Sequence, residues 1–126
     1  MTSRARQAFL WIGILVSAVS AVAQVELKAD AVVYYGSASN TSAPASIDEQ
    51  KVREATPEWQ KIQAEGVRRG SARYILLVGE MDKRIRTAAQ TAAAAATKDF
   101  VVRAGDVADA KGKTVADLTT EVIANL

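Results

Sequence analysis

Between Ser71 and about Lys98 the chain runs without a proline, while its apolar residues return every three or four positions. Tyr74, Leu77, Val78, Met81, Ile85, Ala88, Ala92 and Ala95 fall on one stripe, the pattern of a helix with one covered face. The spacing predicts a helix of about 26 residues, a rod of roughly 39 Å at 1.5 Å per residue, with Ser71 as its N-cap. Gly79 inside it costs about 1 kcal/mol relative to Ala. Glu80 with Arg84 and Asp82 with Arg86 are acid-before-base pairs one turn apart, each contributing about 0.3 to 0.5 kcal/mol. A rod with one apolar stripe needs a partner, and the preceding segment is placed to supply it. Thr56-Pro57-Glu58 is a helix start, with Thr as N-cap, Pro at the first position and an acid near the positive end of the dipole. Gly66 and the run Val67-Arg68-Arg69-Gly70 then make a turn that folds this helix back along the longer one.

The flanking segments are extended. Ala31 to Tyr35 is β-branched and aromatic and stops at Gly36, and the Ser/Ala/Pro-containing stretch from Ser37 to Ser46 reads as a mobile linker. Ser46 followed by Glu49 fits a capping box for a short helix from Asp48 to Ala55. Beyond the long helix, Phe100 to Arg103 is a strand, Ala104-Gly105-Asp106 a turn, Val107-Ala108 a second strand and Lys111-Gly112-Lys113 another turn. Thr114 to Leu118 is extended, and Thr119 is placed to cap a last helix carrying Val122, Ile123 and Leu126. The expected fold is α+β: a small antiparallel β body with a protruding antiparallel helical hairpin.

Residues 1–23 read as a cleaved export signal: Arg4 and Arg6, a short apolar core from Ala8, and Ala21-Val22-Ala23 as the small-x-small cleavage pattern. The apolar stretch is shorter than the roughly 20 residues needed to cross a bilayer. Without Arg4 and Arg6 the balance is 14 basic against 14 acidic residues, so net charge offers no support for nucleic-acid binding. The charge is unevenly spread, with a basic middle from Trp59 to Arg86 between acidic ends. No Cys and no His are present, which removes disulfides, thiolate and imidazole metal sites, and Cys-His or Ser-His-Asp nucleophiles. Many of the hydrophobic residues after position 23 are Ala, so the core of a single copy is thin and self-association is the expected remedy.

The organisation read for the chain is 1–23 signal, 24–46 strand and linker, and 47–126 a domain with its helical hairpin over about 48–98 and its β body and terminal helix over 99–126. Within that domain, Ile47-Asp48, Val52 and Thr56-Pro57-Glu58 at one end, and Arg84 to Ala88, Asp99 to Val102, Val107 and Asp117 to Ile123 at the other, resemble the Skp/OmpH family of periplasmic holdase chaperones. The resemblance implies a β body that trimerises, helical arms that enclose unfolded outer-membrane or other envelope proteins, a periplasmic location, and neither cofactor nor catalytic residues. Two departures are evident: the first arm has only a few turns, and the chain after the signal is neutral where family members are basic.

The residues expected to matter form three groups. Phe100, Val102, Val107, Leu118, Val122 and Ile123 are assigned to the body core and subunit contacts. Trp59, Tyr74, Leu77, Val78 and Met81 are assigned to the hairpin seam. Lys61, Arg68, Arg69 and Arg73 gather at the hairpin tip, where an acidic client segment or an anionic membrane surface would be met. A non-catalytic adaptor that binds one envelope partner is the competing reading. Asp106 and Asp109, the acids closest to a general acid/base or cation pair, sit beside Gly105 where turn chemistry accounts for them.

Overall fold

The computed structural model describes residues 24–126; the expected export signal lies outside them. The chain forms a mixed α+β structure with four α-helices and two small sheets. In chain order the elements are β1 (Glu26–Leu27), β2 (Val33–Gly36), β3 (Pro44–Ile47), α1 (Glu49–Glu54), α2 (Pro57–Glu65), α3 (Ala72–Ala95), β4 (Phe100–Arg103), β5 (Val107–Asp109), β6 (Ala116–Asp117) and α4 (Thr119–Ala124). β1 and β5 pair as an antiparallel ribbon, and the larger sheet has the order β2-β4-β3-β6.

That larger sheet is mixed rather than antiparallel. β2 runs antiparallel to β4 with an irregularity between Val33 and Tyr35, whereas β3 is parallel to both β4 and β6. The parallel pairing follows from β3 and β4 being joined through all of α1, α2 and α3, a connection long enough to return the chain in the same direction. β3 also corrects the expected linker over Ser37 to Ser46. A 3-10 turn at Ala38–Asn40 leads into a strand in the interior of the sheet, with Thr41, Pro44 and Ala45 inaccessible. Pro44 is tolerated because it opens the strand.

Asp99 holds this segment in place. Its carboxylate accepts from the Thr41 hydroxyl (2.6 Å), the Ser42 N–H (2.8 Å) and hydroxyl (2.9 Å), and the Ala43 N–H (3.1 Å). Burial works against its ionised form, but these donors hold it well below the usual carboxylate range. Gly36 passes close by with φ +77°, and a Cβ there would lie 2.1 Å from the Asp99 carbonyl oxygen, so no other residue fits without moving the backbone.

The core lies between the sheet and α3. Tyr34, Ala45, Ile47 and Val101 meet Val52, Ile62, Leu77, Met81, Ile85, Ala88, Ala89, Ala92, Ala93, Leu118 and Val122 in one cluster. The alanine-rich half of α3 therefore lies on the sheet, where small side chains let helix and strands approach closely. Side chains alternate along a strand, so Phe100 and Val102 point away from Val101, and they too are inaccessible within one copy. Val107 is only half-buried and Ile123 is exposed, at the edge of the ribbon and on the outer side of α4; neither belongs to the core.

Helix ends depart from expectation in three places. Asp48, rather than Ser46, caps α1 by accepting from the Lys51 N–H. Thr119 opens α4 instead of capping it, because its hydroxyl donates to Asp117 (2.6 Å) and accepts from the Asp48 N–H (2.9 Å). α3 stops at Ala95, leaving Thr97 at φ 56° and Lys98 outside the helix. Thr56 and Ser71 cap α2 and α3 through the Trp59 and Tyr74 N–H groups, and Gly66 ends α2 in the left-handed region.

α2 lies antiparallel to α3. Near its start Glu58 is buried and takes Arg84 through Nε (3.0 Å) and Nη2 (2.9 Å), while near its end Glu65 meets Arg73. Arg84 thus pairs across the helices instead of with Glu80. Burial opposes the charged form of Glu58, but Arg84 holds it below the usual range. The Asp82–Arg86 pair forms at 2.8 Å.

Candidate functional site

α1 is short, and its Glu49 and Arg53, one turn apart, face the gap between α1 and α3. On either side of this pair lies a cleft, and the two clefts share Glu49 and Arg53 as a common wall. One, of about 280 Å³, opens between β2 and α3, with Val32, Tyr34, Val78, Gly79 and Ile85 in its lining. The other, of about 320 Å³, lies against the α2–α3 turn and is lined by Gln50, Glu54, Trp59, Arg69 and Tyr74. Along α3 the lining residues Tyr74, Val78, Asp82 and Ile85 follow one another at helical spacing, so the two clefts extend about 16 Å along one side of the helix.

The floor is apolar and the rim is charged. Val32, Trp59, Tyr74 and Val78 are half-buried and pack on the core while facing the clefts. The Tyr34 hydroxyl donates to Glu49 Oε2 at 2.5 Å, Arg53 reaches Glu49 at 3.4 Å, and Arg103 approaches it at 3.9 Å. Arg103 also holds Asp106 at 2.8 Å, and Asp106 accepts from the Val32 N–H at 2.8 Å. Asp106 is thus a structural anchor joining β2 to the turn after β4, and Asp109 is engaged with Lys111 at 3.4 Å. On the α3 side, the Arg86 guanidinium lies 5.5 Å from the centre of the Tyr34 ring and donates to the Val33 carbonyl at 2.7 Å.

Burial, reinforced by the hydrogen bond to Glu49, pushes the Tyr34 phenol well above its ordinary range. It stays a hydroxyl donor at physiological pH, unsuited to act as a nucleophile or a base. The arrangement can supply apolar contact over a strip of helix together with hydrogen-bonding and ionic groups at its edge. Among the described residues no group of three His, Cys, Asp or Glu side chains is placed to hold a metal ion.

The residues singled out from the sequence are divided differently by the structure. Leu77 and Met81 are buried in the core cluster, Met81 also lining the cleft beside β2, and Trp59, Tyr74 and Val78 are half-buried and line the clefts. Val52, Ile62 and Ile85 belong to the same buried cluster. Phe100, Val102, Leu118 and Val122 are buried within one copy and present nothing to another subunit. Lys61, Arg68, Arg69 and Arg73 are all exposed near the α2–α3 turn; only Arg69 reaches a cleft, and Arg73 is committed to Glu65.

Sequence reasoning missed Glu49, Arg53 and Val32 as cleft residues, because they meet α3 only through the tertiary fold. It also passed over Ile75 and Leu76, exposed at 64% and 62%. A signal for these two existed: Ile75-Leu76-Leu77-Val78 is a run of four aliphatic residues in a helix, and successive residues are rotated by about 100°, so such a run cannot all face one side.

Comparison with known proteins returned no match to any family model, curated protein or solved structure.

Proposed function

We propose that the protein is a non-catalytic, ATP-independent polypeptide-binding factor of the bacterial periplasm, holding unfolded outer-membrane or other envelope proteins in the manner of a holdase chaperone. The observation that carries this reading is the pair of adjoining clefts beside α3, with half-buried Val32, Trp59, Tyr74 and Val78 below and Glu49, Arg53 and Arg69 at the rim. A shallow strip of this kind favours weak, sequence-tolerant contact with extended chain, because apolar area contributes without directional demands and mixed charges accept either sign of side chain. The antiparallel α2–α3 pair is read as the short arm, with the arginines of its turn near the mouth of the strip. The resemblance of the end segments to the Skp/OmpH family supports the same reading, as does the export signal read in residues 1–23.

The resemblance puts the assembly at three copies. Since Phe100, Val102, Leu118 and Val122 are already inaccessible within one copy, subunit contacts would use surface residues instead.

The test is dilution of an unfolded outer-membrane β-barrel protein from urea, with turbidity followed in the presence of the full chain. Suppression across several unrelated clients is the expected result. Gly79→Leu should reduce it, because a Cβ at position 79 meets nothing within 4 Å and the added side chain would occupy the cleft without disturbing the core. Unchanged turbidity with every client, together with stoichiometric capture of a single envelope protein, would replace this function with the adaptor reading.

A further inference from the structure

Ile75 and Leu76 stand on the first turns of α3, on the side away from the core, and are exposed at 64% and 62%. Two adjacent large aliphatic side chains left this open are unusual in a chain that fills five of the fifteen places in its core cluster with alanine, because their burial there would have added more than any alanine does. At the other end of the same helix, a groove of about 260 Å³ lies between α3 and α4, lined by Ala92, Ala95, Ala96 and Ala124 with Glu121 and Asn125 at its edge. The pair and the groove are thus a projection and a recess on one molecule. Leu76 and Ala95 are separated by about 28 Å of helix, so the two features cannot meet within one copy.

We propose that the protein associates head to tail with further copies of itself, the Ile75–Leu76 pair of one copy seating in the α3–α4 groove of the next. Charge favours this pairing. Pro57 to Arg86 carries seven basic and four acidic residues, and the remaining described residues carry seven basic and ten acidic, so the segment that bears the aliphatic pair has an excess of positive charge and the rest of the described chain an excess of negative. Arg68 and Arg69, in the turn that precedes the helix bearing the pair, form no ion pair among the described residues, and Glu121 at the groove edge forms none either. Bringing the groove onto the pair places an unmatched acid near two unmatched arginines. The contact is heterologous, so it closes into a ring where the rotation between copies allows and otherwise extends into a filament. Its apolar contact uses neither cleft on the α1 side of α3; Arg69 alone is shared, at the rim of the cleft against the α2–α3 turn.

The experiment is light scattering of the full chain across a concentration series, with circular dichroism to verify folding. Wild-type mass should exceed the 13.4 kDa of one chain and rise with concentration until a ring closes or a filament grows. The double variant Ile75→Ser/Leu76→Ser removes the projection and Ala95→Leu fills the recess; both change exposed positions, and each alone should run as a single chain. Mixed together they should form a dimer and stop there, since the second variant keeps its projection and the first keeps its recess. A wild-type protein that stays at one chain mass at every concentration, folded variants with wild-type mass, or a mixture that remains monomeric would each overturn the proposal.

Discussion

Asp99 shows how much one side chain can decide. Its carboxylate takes four hydrogen bonds from Thr41, Ser42 and Ala43, and through them the chain before β3 is held against the start of β4. In Asp99→Asn an amide replaces one accepting oxygen, so either the Ser42 or the Ala43 N–H faces a donor. Loss of about 1 to 3 kcal/mol is expected from the unsatisfied group, measured as a lower urea midpoint with an unchanged slope. Gly36 belongs to the same construction, because only a residue without a Cβ can lie against the Asp99 carbonyl. Neither role was legible beforehand: Asp99 is one acid after an alanine-rich helix, and its partners lie more than fifty positions away in a segment whose composition suggests a linker.

At the level of elements, carboxylates tie most junctions. Asp99 joins the segment before β3 to β4, Asp106 joins β2 to the turn after β4, Asp117 receives the Thr119 N–H and hydroxyl at the start of α4, and Glu58 joins α2 to α3. All four are held below their ordinary ranges. For Asp99, Asp106 and Glu58 burial opposes ionisation and is outweighed by donors and cations, and for Asp117 the Thr119 donors come first. Folded carboxylates with depressed pKa bind fewer protons than the unfolded chain. Their stabilisation is therefore complete above the ordinary carboxylate pKa of about 4 and is lost as pH falls through the folded values. Urea titrations at pH 7, 4 and 3 should show progressive acid destabilisation, with a smaller decline in Asp99→Asn. Tyr34 has the opposite sense: with its folded pKa raised, its contribution is whole below about pH 10 and is lost as pH rises further. The helices themselves were largely legible, since the caps Thr56 and Ser71, the stop at Gly66 and the stripe of α3 are all local signals. β3 was not, because parallel pairing with β4 and β6 is a long-range contact and its short side chains carry no strand pattern.

For the whole molecule, the position of Val102 changes what a mutation there would report. From sequence it is a candidate for subunit contacts, yet it is inaccessible within a single copy. Val102→Asp would place an unpaired charge at a fully inaccessible position of β4, which is strongly unfavourable, and is expected to unfold the chain rather than separate subunits. Circular dichroism of the variant checks this: folded monomers would show that Val102 serves an interface after all. The surface is where assembly and binding have to be sought, and it offers two distinct regions on α3, the clefts toward α1 and the Ile75–Leu76 side.

What the sequence by itself determined were the features that depend on near neighbours: the long helix, its caps and turn, the strand at Phe100 to Arg103, the absence of thiol and imidazole chemistry, and the basic middle of the chain. The tertiary structure alone decided the mixed sheet, the interior place of β3, the pairing of Arg84 with Glu58, the clefts around Glu49 and Arg53, and the exposure of Ile75 and Leu76. The division is physical. Helical periodicity and capping act over three or four residues, whereas sheet order, cross-helix ion pairs and the choice of which aliphatic residues stay outside depend on segments brought together from distant parts of the chain.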